Sequence, residues 1–347
     1  MIWNSWVLSL IIGQIGIVLI NAVAFVSALK IIRRWDTSSY DPGQIDLERR
    51  SELVAIIVSW SLVSGILSLI VFERTNDSLV PFIPGAMCPI GVLGQNEFWG
   101  YAALYTKIAG VFVYGLWIVL NRIDADVEGF PLTRLKNAYT LALFPFLLLD
   151  VSFQVAYFSK LDPNVITSCC GVVFEPGGGQ SYASSVASLP PESTRWLVGI
   201  YFAVFLALSR AISFEKMVWG RTLHALFSAA GFFLGMAGVI AFASPYIHQM
   251  PALHCPFCIL QSEYHHYGYG IYIPLFLASL LGIFPGVLNL LLKHYPSAKE
   301  RIERSQIGMI RLSRIAWLAF LVMIFLPMVF YLVQTGGIDL FFGQGFM

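Results

Sequence analysis

Eight stretches of the chain are apolar for long enough to cross a bilayer: 3–32, 51–72, 100–120, 137–158, 195–213, 221–243, 270–292 and 315–334. A helical crossing needs about 20 such residues. The pattern therefore predicts an all-α integral membrane protein with eight transmembrane helices. The first run is too long for a signal peptide, and it has neither a positively charged start nor a small-residue cleavage site. It reads as a retained helix.

Composition sharpens this picture. Of 347 residues, 57% are hydrophobic and only 12% are charged, with a mean hydropathy of +0.74. A soluble domain carries about a quarter charged residues, so two soluble domains are excluded. The net charge of +1 hides an asymmetry. Arg74, Lys107, Lys160 and Arg195 fall on one side of the predicted spans, and the other 17 of the 21 Lys and Arg residues on the opposite side. The positive-inside rule puts the larger set in the cytoplasm and both termini outside. Trp3, Trp6, Trp99, Trp196, Tyr157, Tyr246 and Tyr272 then fall near the outer interface, as an aromatic belt would. The basic segment 293–314 and the segment 35–50 read as solvated faces against anionic lipid. No stretch is basic enough for nucleic-acid binding.

On this topology all five cysteines lie in exofacial loops: Cys88 after the second span, Cys169 and Cys170 after the fourth, Cys255 and Cys258 after the sixth. Disulfides form and persist in that compartment, which points to the inner membrane of a cell with the cysteine loops facing the periplasm or exterior. No Cys-x-x-Cys-His, Gly-rich phosphate loop or His-Glu-x-x-His is present.

Two of these loops are near-copies. Cys88-Pro-Ile and Gly100-Tyr101 match Cys255-Pro-Phe and Gly268-Tyr269, at offsets of 167 and 168 residues. Either the chain is a tandem duplication, with four-helix units at 1–168 and 195–347 joined by a Cys- and Gly-rich loop at 169–194, or these dipeptides are common loop-to-helix punctuation. The sequence leaves both open.

Cys255-Pro-Phe-Cys258 carries the strongest chemical signal. A Cys-x-x-Cys pair at a helix entrance can close a disulfide, and the positive end of the helix dipole favours the reactive thiolate. With Ile259, Leu260 and Gln261, the pair resembles the active-site segment of the DsbB and vitamin K epoxide reductase families, membrane enzymes that couple disulfide formation to quinone. Phe257 stands where the DsbB pattern has Leu, and Ser262 where it has Arg. The resemblance implies that Cys255 and Cys258 face the quinone, with Gln261, His265, His266 and Asp150 as candidate cofactor and proton residues. A second pair would exchange with an exofacial thiol protein. Cys169–Cys170 is one candidate for it, and Cys88 could pair with either.

The neighbourhood supports a second reading. His248, His254, His265 and His266 lie within 11 residues of the cysteine pair. His248, His254, Cys255 and Cys258 make a candidate soft-metal set for copper, zinc or mercury, and the histidines are also candidate haem ligands. A third reading is a structural subunit of a membrane complex whose loops are stapled by disulfides. Within the membrane, Asp150 and Gln154 share one face of the fourth span. Lys107 lies at a comparable depth, and the simplest expectation is an Asp150–Lys107 ion pair.

Overall fold

A backbone in hydrocarbon must satisfy its own hydrogen bonds, so long apolar runs fold as helices. The computed structural model describes residues 3–35, 42–167, 189–211 and 213–341. Among these the architecture is helical: α1 (Ser5–Arg34), α2 (Pro42–Leu79), the short α3 (Pro89–Gly94), α4 (Glu97–Ala125), α5 (Thr133–Ser159), α6 (Pro191–Ala211), α7 (Val218–Gly238), α8 (Ser244–His248), α9 (Tyr267–Asn289) and α10 (Lys299–Gln334). A π-helical stretch, Val239–Ala243, joins α7 to α8 into one crossing. Eight helical segments are long and apolar enough to cross a membrane. This is a multi-pass membrane protein.

The helices outrun the apolar stretches that announced them. The second run, 51–72, becomes Pro42–Leu79, and the last, 315–334, becomes Lys299–Gln334. Hydropathy marks only the hydrocarbon core, whereas a helix continues until its terminal groups find other partners. Two expectations change as a result. Residues 42–50 of the first solvated segment are helical, and so is most of the second, which ion-pairs as well as meeting solvent: Arg301 pairs with Asp126 and Arg314 with Glu215. At the opposite extreme, α1 starts at a conventional cap, with the Asn4 side chain accepting from the Trp6 N–H at 2.9 Å.

The chain divides into two compact units. The first comprises Met1–Pro84, Val92–Thr167 and Leu292–Glu303; the second comprises Gly85–Gly91, Ser168–Leu291 and Arg304–Met347.

In the first unit, α1 packs on α2 and α5, and α4 packs on the same two helices, closing a four-helix ring. The buried stripe of α1 runs Val7, Leu10, Gln14, Ile17, Asn21, Ala24, Ala28 and Ile31, at helical spacing of three and four. Its other faces expose Ile12, Leu19, Val23 and Val26. That is the pattern for a lipid solvent: apolar side chains outside, polar ones turned in. Lipid supplies no hydrophobic drive between helices, so fit and hydrogen bonds hold them together. Trp117 Nε1 donates to Thr140 Oγ1 at 2.8 Å, and Asn21 Nδ2 to Ser61 Oγ at 2.9 Å. Each bond of this kind contributes about 0.6–2 kcal/mol.

In the second unit, α7 and α9 approach closely because Gly282 faces Ser228, leaving no room there for a Cβ. Phe202, Phe205, Phe242, Leu275, Trp317 and Phe320 build the core, and Ile259 of the cysteine loop is buried among them. That side chain anchors the loop in the helix core. After the last crossing, Asp339 accepts from Arg195 at 2.5 Å and from the Tyr246 hydroxyl at 3.1 Å, tying the segment after α10 to α6 and α8.

Candidate functional site

Two pieces of the second unit bring the cysteines together: the segment Gly85–Gly91 and the loop after α8. The loop begins where Gln249 adopts a left-handed conformation (φ 55°, ψ 28°) and ends α8. It then follows one 3₁₀ turn at Cys258–Leu260 and another at Ser262–Tyr264. Its backbone is held from several directions. The Tyr272 hydroxyl donates to the Pro256 carbonyl at 2.8 Å, and His254 Nδ1 lies 2.9 Å from the Ile240 carbonyl. His266 Nδ1 lies 2.7 Å from the Leu260 carbonyl, and Gln261 Nε2 donates to the Met87 carbonyl at 3.4 Å. This last bond joins the loop to the Cys88 segment, which turns at Gly85 (φ 86°) and closes a Gly91 N–H to Cys88 carbonyl bond at 3.0 Å.

The result is a buried cluster of three sulfurs. The Sγ atoms of Cys88, Cys255 and Cys258 all lie within 4.8 Å of one another. Cys88 and Cys255 approach to 3.8 Å. Cys88 is fully buried, Cys255 is 1% exposed and Cys258 is 9% exposed. Cys255 and Cys258 are both present as thiols, and Cys88 is disulfide-bonded.

The thiol pair does not sit at a helix entrance. The helix that follows begins only at Tyr267, so the macrodipole expected to activate the thiols is not the local source of stabilisation. The turn itself replaces it. Burial pushes the Cys255 thiol up, but hydrogen bonds from the Cys258 side chain and from backbone groups of Cys258 and Phe257 outweigh burial and hold it below the usual thiol range. Pro256 has no N–H of its own, so the donors in this turn are those of Phe257 and Cys258.

The histidines have different work from the one expected. His248 and His254 are buried, yet His248 Nε2 faces the Cys255 carbonyl at 3.4 Å and His254 faces Ile240. Among the described residues, the group able to hold a metal ion consists of Cys88, Cys255 and Cys258 without a histidine. His265 is exposed on the loop. Cys169 and Cys170 lie outside the described residues. Asp150 belongs to the first unit, where it pairs with Lys107 at 3.2 Å, the expected partner.

Sequence reasoning missed Tyr264. Its ring stands edge-on to His248 with centroids 4.4 Å apart. Burial raises its hydroxyl pKa, and the neighbouring Cys258, Cys255 and Glu263 raise it further. Tyr264 lies six positions after Cys258 in an irregular loop, where no periodicity signals that it stands beside the thiols and His248. Comparison with protein-family models, curated proteins and solved structures finds no match to this chain.

Proposed function

We propose that this protein is a membrane-embedded thiol–disulfide oxidoreductase, working as a dithiol relay on the exofacial side. One observation carries the reading: a Cys255 thiol with a lowered pKa stands 3.8 Å from the sulfur of Cys88, itself half of a disulfide. The placement of the cysteine loops outside rests on the positive-inside distribution of Lys and Arg.

Exchange proceeds by thiolate attack on a disulfide sulfur. The Cys255 thiolate attacks Cys88 Sγ, the original S–S bond breaks, and its other sulfur leaves as a thiolate that takes up a proton. The Cys258 thiolate then attacks Cys255 Sγ, forming the Cys255–Cys258 disulfide and releasing the Cys88 thiolate, which is protonated in turn. The Cys255–Cys258 dithiol loses two electrons and two protons, and the Cys88 disulfide gains them. The steps also run in reverse. Cys258, the most exposed of the three residues, is the one an external dithiol or disulfide protein reaches.

A quinone does not enter these steps. Gln261 Nε2 and His266 Nδ1 already face backbone carbonyls, and Ser262 replaces the Arg of the resembling families. The exchange therefore runs between sulfurs alone.

The test is differential alkylation of the purified, unreduced protein, mapped by mass spectrometry. The relay predicts that Cys258→Ser accumulates a Cys88–Cys255 disulfide once the leaving thiol is alkylated, and that Cys255→Ser forms none. A Cys88 disulfide that never exchanges with Cys255 sinks the reading.

The three-sulfur geometry favours a second reading. Once Cys88 is reduced, three thiolates within 4.8 Å make a soft-metal set for copper(I) or zinc. Cysteines protected from alkylation until a chelator is added would replace the relay with this reading.

A further inference from the structure

A second chemistry-bearing place lies in the second unit, away from the sulfurs, where α6 ends beside α10. A cavity of about 350 Å³ is lined by Arg210, Ser213, Glu215, Lys216, Arg311 and Arg314. Next to it is another of about 240 Å³, lined by Leu206, Arg210, Arg311, Arg314, Ile315 and Leu318. The first is polar and cationic, with four positive side chains against one carboxylate. The second is apolar except for three guanidiniums. Arg210, Arg311 and Arg314 line both.

Helical spacing builds this arrangement. Leu206 and Arg210 are one turn apart on α6, and Arg311, Arg314, Ile315 and Leu318 follow one stripe of α10. Arg314 is held in place by Glu215 at 3.2 Å and by the Ser209 carbonyl at 3.2 Å. Glu215 is thereby neutralised, while Arg210 and Arg311 remain exposed. Ile315 and Leu318 are 63% and 52% exposed, so the apolar cavity opens toward lipid.

We propose that these two cavities form a binding site for one anionic phospholipid. A phospholipid has the same division: a polar headgroup, an apolar chain, and a phosphodiester at the junction. The three shared guanidiniums occupy that junction; the planar forks of Arg210 and Arg311 match phosphate oxygens in pairs, and Arg314, held by Glu215 and Ser209, adds its charge from behind. Lys216 and Ser213 face the headgroup; Leu206, Ile315 and Leu318 face the first acyl segment. A zwitterionic lipid brings its own cation into a cavity that is already positive and is rejected.

The experiment is native mass spectrometry of the full-length protein in neutral detergent. It is titrated with phosphatidylglycerol, with phosphatidylcholine of the same acyl chains, and with inorganic phosphate. The expected result is one phosphatidylglycerol retained about tenfold more tightly than phosphatidylcholine, with no retention of phosphate alone. Arg210→Gln with Arg311→Gln removes the preference, and Arg210→Lys with Arg311→Lys keeps part of it because charge survives without the fork. Leu318→Ser weakens retention with the arginines intact. These side chains are exposed, and an unchanged helical circular dichroism spectrum establishes that each variant folds. Equal retention of the two lipids, or a preference surviving the double Gln variant, overturns the proposal. Phosphate retained as well as phosphatidylglycerol overturns it too, leaving a simple anion site.

Discussion

Lys107 Nζ lies 3.2 Å from Asp150 Oδ1, with both side chains 1% exposed, on two helices that cross the membrane. The pair belongs to a polar layer. Successive crossings run antiparallel, so a known contact fixes which residues share a level. From the Asn21–Ser61 bond, seven residues along each helix lead to Gln14 and Ser68. From the Phe25–Phe144 ring contact, eleven lead to Gln14 and residue 155, next to Gln154. From the Trp117–Thr140 bond, ten lead to Lys107 and Asp150 themselves. Lys107 also donates to Ser68 Oγ at 3.3 Å. Gln14, Ser68, Lys107, Asp150 and Gln154 thus occupy one level, about 15 Å from the start of α4 at 1.5 Å per residue.

This pair predicts asymmetric mutational costs. Removing one partner leaves a buried charge uncompensated, which costs about 3–5 kcal/mol, whereas removing both costs far less. Asp150→Asn and Lys107→Met should each sharply lower the stability of the folded protein in detergent, and Lys107→Met with Asp150→Leu should recover most of it. Gln154→Leu should be nearly neutral, because neither polar atom of its carboxamide has a hydrogen-bond partner among the described residues. A double variant as unstable as the singles would show that the charges do not act as a pair.

The α7–α9 contact predicts a size threshold. Gly282 faces Ser228 and Ser313 with no space for a side chain, and Gly286 faces Ala225 in the same way. Small residues let transmembrane backbones approach. Gly282→Val should cost about 1–3 kcal/mol through overpacking, and Ser228→Gly placed beside it should restore part of the loss. Thermal unfolding of the three proteins checks this. Full stability of Gly282→Val would mean that the helices separate without penalty.

Much of the membrane architecture was legible because hydrocarbon imposes one rule on every crossing. Runs of apolar residues marked all eight spans, and the cost of a lone charge in lipid pointed from Asp150 to Lys107. Helix ends were not legible, because Lys299–Arg314 is as polar as a loop and is helical through its own backbone bonds and tertiary ion pairs. The cysteine site was legible in part. Cys255 and Cys258 announce themselves by spacing. The approach of Cys88 depends on a turn at Gly85 and a Gln261–Met87 bond, between residues 174 apart in sequence. The clustered histidines looked like ligands because sequence shows proximity and not direction; three of them turn toward backbone carbonyls. Gln14 was overlooked, although it interrupts an otherwise mostly apolar stripe between Leu10 and Ile17.

The segment after α10 predicts a graded release. Burial opposes ionisation of Asp339, but Arg195, the Phe341 N–H and the Tyr246 hydroxyl together hold its carboxyl below the usual range. Tyr246→Phe removes the hydroxyl that donates to Asp339 and accepts from Arg195, at about 0.5–1.5 kcal/mol per bond; Arg195→Met removes the cation and should cost more. A carboxylate with a depressed folded pKa stabilises above its unfolded value near 3.9 and loses that contribution as pH falls through the folded value. Limited proteolysis near residue 339 should therefore accelerate in the order wild type, Tyr246→Phe, Arg195→Met. Equal rates would mean that the triad does not anchor the segment.

The thiol turn predicts its own pH profile. The Cys255 pKa is held low by donors from Phe257 and Cys258 in spite of burial, so the thiolate persists below the ordinary thiol value near 8.5. Because the folded pKa lies below the unfolded one, its contribution to stability is complete above the unfolded value and disappears as pH falls through the folded value. Thiolate ultraviolet absorbance reads a buried sulfur directly, and Cys88→Ser with Cys169→Ser and Cys170→Ser leaves only Cys255 and Cys258 to titrate. In that background Cys258→Ser exchanges the thiol donor for a hydroxyl, and Cys258→Ala removes it altogether. The Ala variant should titrate at higher pH than the Ser variant, and Phe257→Pro, which deletes one backbone donor, should also move the profile upward. If the Ala variant titrates where the parent does, the neighbouring thiol does not activate Cys255. The lowered pKa would then come from the backbone alone.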